Sequence, residues 1–123
     1  VIANHVSFFD PPLVGCILSR QVHFLAKKEL FENPVFAWVL ESIGVIPIKR
    51  GTPDRKALRK CFKILSENKV LGLFPEGTRH QPGNLGEAKA GAVMIALRSE
   101  SPILPIGIKN ITEKDKKDPD LNW

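Results

Sequence analysis

Five short apolar runs, rich in Val, Ile, Leu and Phe, recur along this chain with helical patterns between them. That alternation constrains the fold more than any other feature. Strands separated by helix-length segments pair in parallel, and the helices cross over the faces of the sheet. The runs fall at residues 1–3, 22–26, 45–48, 70–74 and 103–108. Between them, Asp10 followed by Pro11 makes an N-cap and first-turn pair for a helix reaching about Arg20, and Pro34 opens a second helix, VFAWVLESI, that ends at Gly44. A third starts at Thr52-Pro53 and carries Leu58, Cys61, Phe62 and Leu65 at i, i+3, i+4 and i+7, with Arg55, Lys56, Arg59, Lys60 and Lys63 on its other face. A fourth covers residues 88–98. The expected architecture is α/β, a mixed or mostly parallel sheet with helical crossovers, in one domain, since 123 residues bury one core and not two.

Both ends read as cut. Val1-Ile2-Ala3 follows no initiator methionine and looks like the end of a buried strand, and residues 113–123, EKDKKDPDLNW, are polar without a terminator, so residues 1–123 are read as a partial domain. The net charge of +5 and pI near 9.4 point to an anionic partner, a property shared by nucleic acid, phosphorylated metabolites and anionic lipid headgroups. No apolar run approaches the roughly 18 residues of a spanning helix, and no signal-peptide pattern opens the chain. Cys16 and Cys61 lie among apolar residues of helical stretches, which assigns both to the core as small side chains and suits a reducing compartment.

The chemistry-bearing residues gather at strand ends. In NHVSFFD, residues 4–10, His5 stands in a strand-to-helix loop, where open α/β sheets place ligands. Asp10 reaches across that loop to one imidazole nitrogen, fixing the tautomer and leaving the other nitrogen as a general base. No Gly-x-Ser-x-Gly elbow occurs and neither cysteine has a basic neighbour in a loop, so the nucleophile has to come from the substrate as an activated hydroxyl. The alternative is a capping aspartate beside an unrelated histidine. In FPEGTR, residues 74–79, Pro75 and Gly77 shape a turn that brings backbone N–H groups toward a ligand, Arg79 offers a planar fork for phosphate, and Glu76 holds Arg79 or an acceptor hydroxyl. A strand-ending turn with a surface ion pair is the competing reading. GVIPIKRG, residues 44–51, ends a strand with Lys49 and Arg50 beside a glycine, so that three strand ends converge on one crevice.

Together these residues resemble the glycerolipid acyltransferase family, which includes the 1-acylglycerol-3-phosphate acyltransferases. Asn4, His5 and Asp10 match its Asn-His-x4-Asp motif, residues 74–79 match Phe-Pro-Glu-Gly-Thr-Arg without a substitution, residues 46–51 match the strand that ends in a basic residue and glycine, and residues 102–106 match the proline-containing apolar strand. His80 departs from a frequent serine. The resemblance implies transfer of a fatty acyl group from acyl-CoA or acyl-carrier protein to the hydroxyl of lysophosphatidic acid at a membrane surface facing the cytoplasm. His5 and Asp10 would be catalytic, and Lys49, Arg50, Glu76, Gly77, Thr78 and Arg79 would bind substrate, with Arg79 and Arg50 on the acceptor phosphate. It implies no metal and no cofactor. Backbone N–H groups near Gly77 are candidates for the oxyanion.

Other residues carry plainer expectations. His23 lies in a strand and reads as structural, and His80 as a loop residue near the acceptor. Phe31, Phe36, Trp38 and Val39 read as core, with a membrane-dipping surface as the alternative. The basic face from Arg55 to Lys63 reads as solvated, and Asn110-Ile111-Thr112 as a glycosylation sequon that a cytosol-facing enzyme does not use. Acceptors such as glycerol 3-phosphate or another lysophospholipid stay open. So does a noncatalytic basic module, although nucleic acid is disfavoured because only Phe62, on the apolar side, accompanies the basic helix.

Overall fold

The computed structural model describes residues 1–49, 51–79 and 86–109. The expectations for Arg50, His80, the Asn110-Ile111-Thr112 sequon and the polar tail at 113–123 lie outside the described residues. β1 (Ile2–Ala3) leads to α1 (Asp10–Ile17); β2 (Val22–Lys27) runs into a 3-10 turn (Lys28–Phe31) and α2 (Pro34–Ser42); β3 (Ile46–Ile48), α3 (Arg55–Ser66), β4 (Val70–Gly72), α4 (Ala90–Ser99) and β5 (Pro105–Ile106) follow.

The sheet is parallel, as the alternation requires. β3, β2 and β4 pair in that order, and β1 pairs with β5. The two pieces meet where Ile2 bridges Leu73, with Ala3 N–H donating to Leu73 O at 3.1 Å and Leu73 N–H to Val1 O at 2.9 Å. The strands therefore follow one another as β3-β2-β4-β1-β5, all running the same way. Every loop that follows a strand leaves at one edge of the sheet, which is what gathers the sequence motifs.

Helices cover both faces. Ala3, Val22 and Phe24 bury themselves with Val14 of α1 on one side, and Ile46 and Leu71 with Ala57 and Cys61 of α3 and Ile95 of α4 on the other. Gly72 is part of the first cluster's geometry: a Cβ there would stand 2.4 Å from the Phe24 ring, so β4 carries a glycine where that ring lies across it.

Several sequence expectations are corrected. The third helix begins at Arg55 and not at Thr52-Pro53, because the Asp54 carboxylate caps it, accepting from Lys56 N–H and Ala57 N–H at 3.0 Å each. Asp10 is the first helical residue and not the N-cap, a position held by Phe9 without a side-chain bond. Cys16 is exposed, because α1 turns Val14 to the core and a residue two positions on lies about 200° round the helix. Phe36, Trp38 and Val39 are also exposed, Trp38 to 72%, and Phe31 is half-buried. α2 buries none of its residues and packs chiefly on the 3-10 turn, so its apolar side chains have no second layer to enter. Among the described residues no helix is long and apolar enough to cross a membrane.

Burial pushes the Cys61 thiol from its ordinary 9.0 up to about 11. At pH 8 its thiolate fraction is then on the order of 100-fold lower in the native protein than in the unfolded chain. Iodoacetamide should therefore label Cys16 in the native protein and reach Cys61 only in denaturant, with mass spectrometry of the two peptides as the readout. Equal native labelling of both would contradict the burial of Cys61.

Candidate active site

His5 stands two residues past the end of β1, and its contacts fix its place. Its Nδ1 donates to Asp10 Oδ2 at 2.8 Å, and its backbone N–H donates to Glu76 Oε1 at 3.0 Å. Its ring stacks on Phe74, with centroids 4.3 Å apart, and Phe74 in turn stacks on Phe24 of the core at 5.7 Å. Asn4 acts as a strap: its amide donates to Ile108 O at 2.8 Å and accepts from Ile108 N–H at 2.6 Å, extending the β1–β5 pairing by a side chain.

Asp10 organises the loop from the far side. Besides His5, its Oδ2 accepts from Val6 N–H and Ser7 N–H, both at 2.7 Å. The residue is fully buried, and Oδ1 has no hydrogen-bond partner among the described residues. With three donors gathered on one oxygen of a buried carboxylate, the His5 ring is held in a single orientation by Nδ1, which leaves Nε2 outside this contact. The pair is built to orient a base.

Glu76 is buried beneath the site and not displayed in it. Its Oε1 holds His5 N–H, and its Oε2 accepts from Gly86 N–H at 3.0 Å, tying together the loops that follow β1 and β4. Glu76 thereby clamps the backbone of the base. Gly77, at φ +69°, closes the bend with its N–H donated to Phe74 O at 3.0 Å, so this N–H is committed to the turn and not to an oxyanion.

His5, Lys49, Gly77, Thr78 and Arg79 line one open cavity of about 1140 Å3. Arg50, placed with them by the sequence, lies outside the described residues. The Lys49 backbone is held by Asp54, whose Oδ2 accepts its N–H at 3.0 Å. That bond and those from Ala57 and Lys56 keep the Asp54 carboxyl below its ordinary value. His23 has the structural partner its strand position suggested, Gly44 O at 2.9 Å from Nδ1. Sequence reading missed the strap made by Asn4 and the ring platform of Phe74, although both residues stand inside the motifs. It also missed Lys89, whose only signal was a lysine opening a helix after a glycine-containing loop. Among the described residues no three His, Cys, Asp or Glu side chains are grouped as a metal site would need.

A parallel sheet with an imidazole–carboxylate pair beside a cation-lined cavity has the parts of a general base next to a site for an anionic ligand. The comparisons agree: the family model described as Acyltransferase matches residues 1–109, and the chain belongs to that family. It is 35% identical over 109 residues to a chloroplastic 1-acyl-sn-glycerol-3-phosphate acyltransferase of Brassica napus, covering 85% of this chain and 31% of the relative. To the 1-acyl-sn-glycerol-3-phosphate acyltransferase of Bacillus subtilis it is 34% identical over 106 residues, covering 85% of this chain and 52% of that one. The crystal structure of the 1-acyl-sn-glycerophosphate acyltransferase PlsC from Thermotoga maritima superposes with a TM-score of 0.67 at 30% identity, over 85% of this chain and 40% of that one. The chain thus spans between about a third and a half of these relatives.

Glu76→Ala leaves the N–H groups of His5 and Gly86 without their acceptor, at a cost of on the order of 1–3 kcal/mol for each donor that stays buried. Glu76→Gln, which keeps one carbonyl oxygen, should lose less. Urea unfolding of the two variants reads the difference, and a wild-type midpoint for Glu76→Ala would show that Glu76 is no clamp.

Proposed function

We propose that the chain is the catalytic domain, in part, of an O-acyltransferase that moves a fatty acyl group from an acyl-CoA or acyl-carrier-protein thioester to the sn-2 hydroxyl of 1-acylglycerol-3-phosphate, giving phosphatidic acid. The observation that carries the reading is the 2.8 Å bond between His5 Nδ1 and buried Asp10 at the wall of a cavity that also holds Arg79 and Lys49. The names of the relatives support the acceptor.

In this reading His5 Nε2 takes the hydroxyl proton while the oxygen attacks the thioester carbonyl, and Asp10 balances the charge on the ring. The tetrahedral intermediate collapses with cleavage of the carbon–sulfur bond, and the proton passes from His5 to the departing thiolate. The thioester is already activated, so no cofactor enters the step. Arg79 and Lys49 offer charge-assisted bonds to the acceptor phosphate. Glycerol 3-phosphate or another lysophospholipid as acceptor is separated from this reading by offering the acceptors in parallel with one donor.

His5→Ala should lower acyl transfer by about 100- to 10,000-fold in a folded protein, with Asp10→Asn milder but still severe. Arg79→Ala should raise the KM for lysophosphatidic acid roughly ten- to a hundredfold and spare an uncharged monoacylglycerol. Wild-type turnover by folded His5→Ala would end the general-base assignment, and an equal loss on both acceptors would show that Arg79 does not read the phosphate.

The same reading places the site at a membrane surface on the cytoplasmic side. Phe8 and Phe36 line the cavity and are exposed, and Phe9, Leu13, Ile17, Val35 and Trp38 of the same loop and helices are exposed as well. A lipid acceptor gives these side chains an apolar phase to enter. The protein should partition onto anionic vesicles better than onto neutral ones, by about 1 kcal/mol for each basic residue near the surface. Trp38→Ser should weaken sedimentation with both vesicle types, and unaltered partition would exclude α2 from the contact.

A further inference from the structure

Lys89 immediately precedes α4, and its backbone N–H donates to Pro75 O at 2.9 Å. From there its side chain turns over the 74–79 bend. Nζ, Cε and Cδ stand 2.9, 3.1 and 3.3 Å from the point a Cβ on Gly77 would occupy. Three successive atoms thus cross the bare α-carbon of a residue at φ +69°, and the bend has room for them because Gly77 has no side chain. The ammonium enters no salt bridge among the described residues. It lines the same cavity as His5, together with Lys27, Lys49, Arg55 and Arg79. Among the described lining residues the single carboxylate is Asp54, and its oxygens already accept from three backbone N–H groups. Charge of one sign, seated and unneutralised, calls for an anionic ligand.

The bend locates that ligand. Gly77 adjoins Glu76, whose carboxylate grips His5 N–H, so Lys89 is fixed to the segment that also fixes the base. In the proposed acceptor the reacting hydroxyl and the phosphate ester sit on neighbouring carbons. In either thioester donor the phosphates stand at the far end of the pantetheine arm from the sulfur. A cation attached to the base's own support therefore suits the acceptor's phosphomonoester and not the donor's phosphates.

We infer that Lys89 is a specificity-determining residue that binds the phosphate of the acceptor lipid alongside Arg79; this rests on the proposed acceptor. Lys89→Gln keeps the backbone bond to Pro75, and α4 draws no capping bond from this side chain, so the helix start has nothing to lose. Steady-state kinetics with lysophosphatidic acid should show its KM raised roughly ten- to a hundredfold, with kcat at saturation and the donor KM unchanged. Lys89→Arg should restore most of the loss, and monoacylglycerol should be used equally by wild type and Lys89→Gln. A rise confined to the donor KM, or a fall in kcat with both KM values unchanged, overturns the assignment. Calorimetric binding of lysophosphatidic acid without donor separates this inference from the activity itself. A wild type that binds the lipid but never acylates it sinks the activity and leaves the Lys89 contact, provided that Lys89→Gln binds it more weakly. A wild type that acylates it while Lys89→Gln binds it equally sinks Lys89 alone.

Discussion

The buried carboxylate of Asp10 is the constraint around which the site is arranged. One of its oxygens holds the His5 ring at 2.8 Å and two backbone N–H groups at 2.7 Å, so the loop from His5 to Ser7 is wound about a single atom. Desolvating that charge is costly, and three hydrogen bonds offset it. The geometry requires the five-residue separation, because the carboxylate has to come from the first turn of a helix that starts as the loop ends. A base oriented in this way has one nitrogen committed, and its residue lines the cavity.

The second carboxylate works on the backbone. Glu76 bonds His5 N–H and Gly86 N–H, while Asn4 closes the opposite side against Ile108. These bonds join the segments after β1, β4 and β5, which the all-parallel sheet delivers to a common edge. Since β1 lies between β4 and β5, the base stands between the bend of residues 73–79 and the strap at 108, held from both sides. Phe74 carries it on the core through its stack with Phe24.

Much of this was legible because periodicity and motif spacing are local properties. The five runs became five parallel strands, and Val14, Cys61 and Leu71 took core positions that their patterns allow. What escaped depended on partners distant in sequence. Trp38 and Phe36 have a core composition, but among the described residues α2 packs chiefly on the 3-10 turn and buries none of its side chains, and composition does not record whether a second layer exists. Cys16 misled for the related reason that α1 buries one apolar side chain, Val14, while Leu13, Cys16 and Ile17 face outward. Glu76 stands inside FPEGTR, and two of its bonds reach back 71 residues to His5 and forward 10 to Gly86. A six-residue motif does not disclose such a span.

The resulting site divides its charges by depth. Two carboxylates, Asp10 and Glu76, are buried and bonded to backbone, where they fix geometry at the cost of desolvation, while Asp54 on the wall is taken up by three backbone N–H groups. Its cations, Lys49, Arg79 and Lys89, are exposed on the cavity wall on long flexible stems. Buried negative charge holds the base and its loop in place, and exposed positive charge attracts an anionic ligand without a large desolvation penalty before it arrives. Without the buried carboxylates the base would lose its supports, and without the exposed cations an anionic ligand would lose its partners. The chemistry proposed here therefore needs this order of layers as much as it needs the residue types.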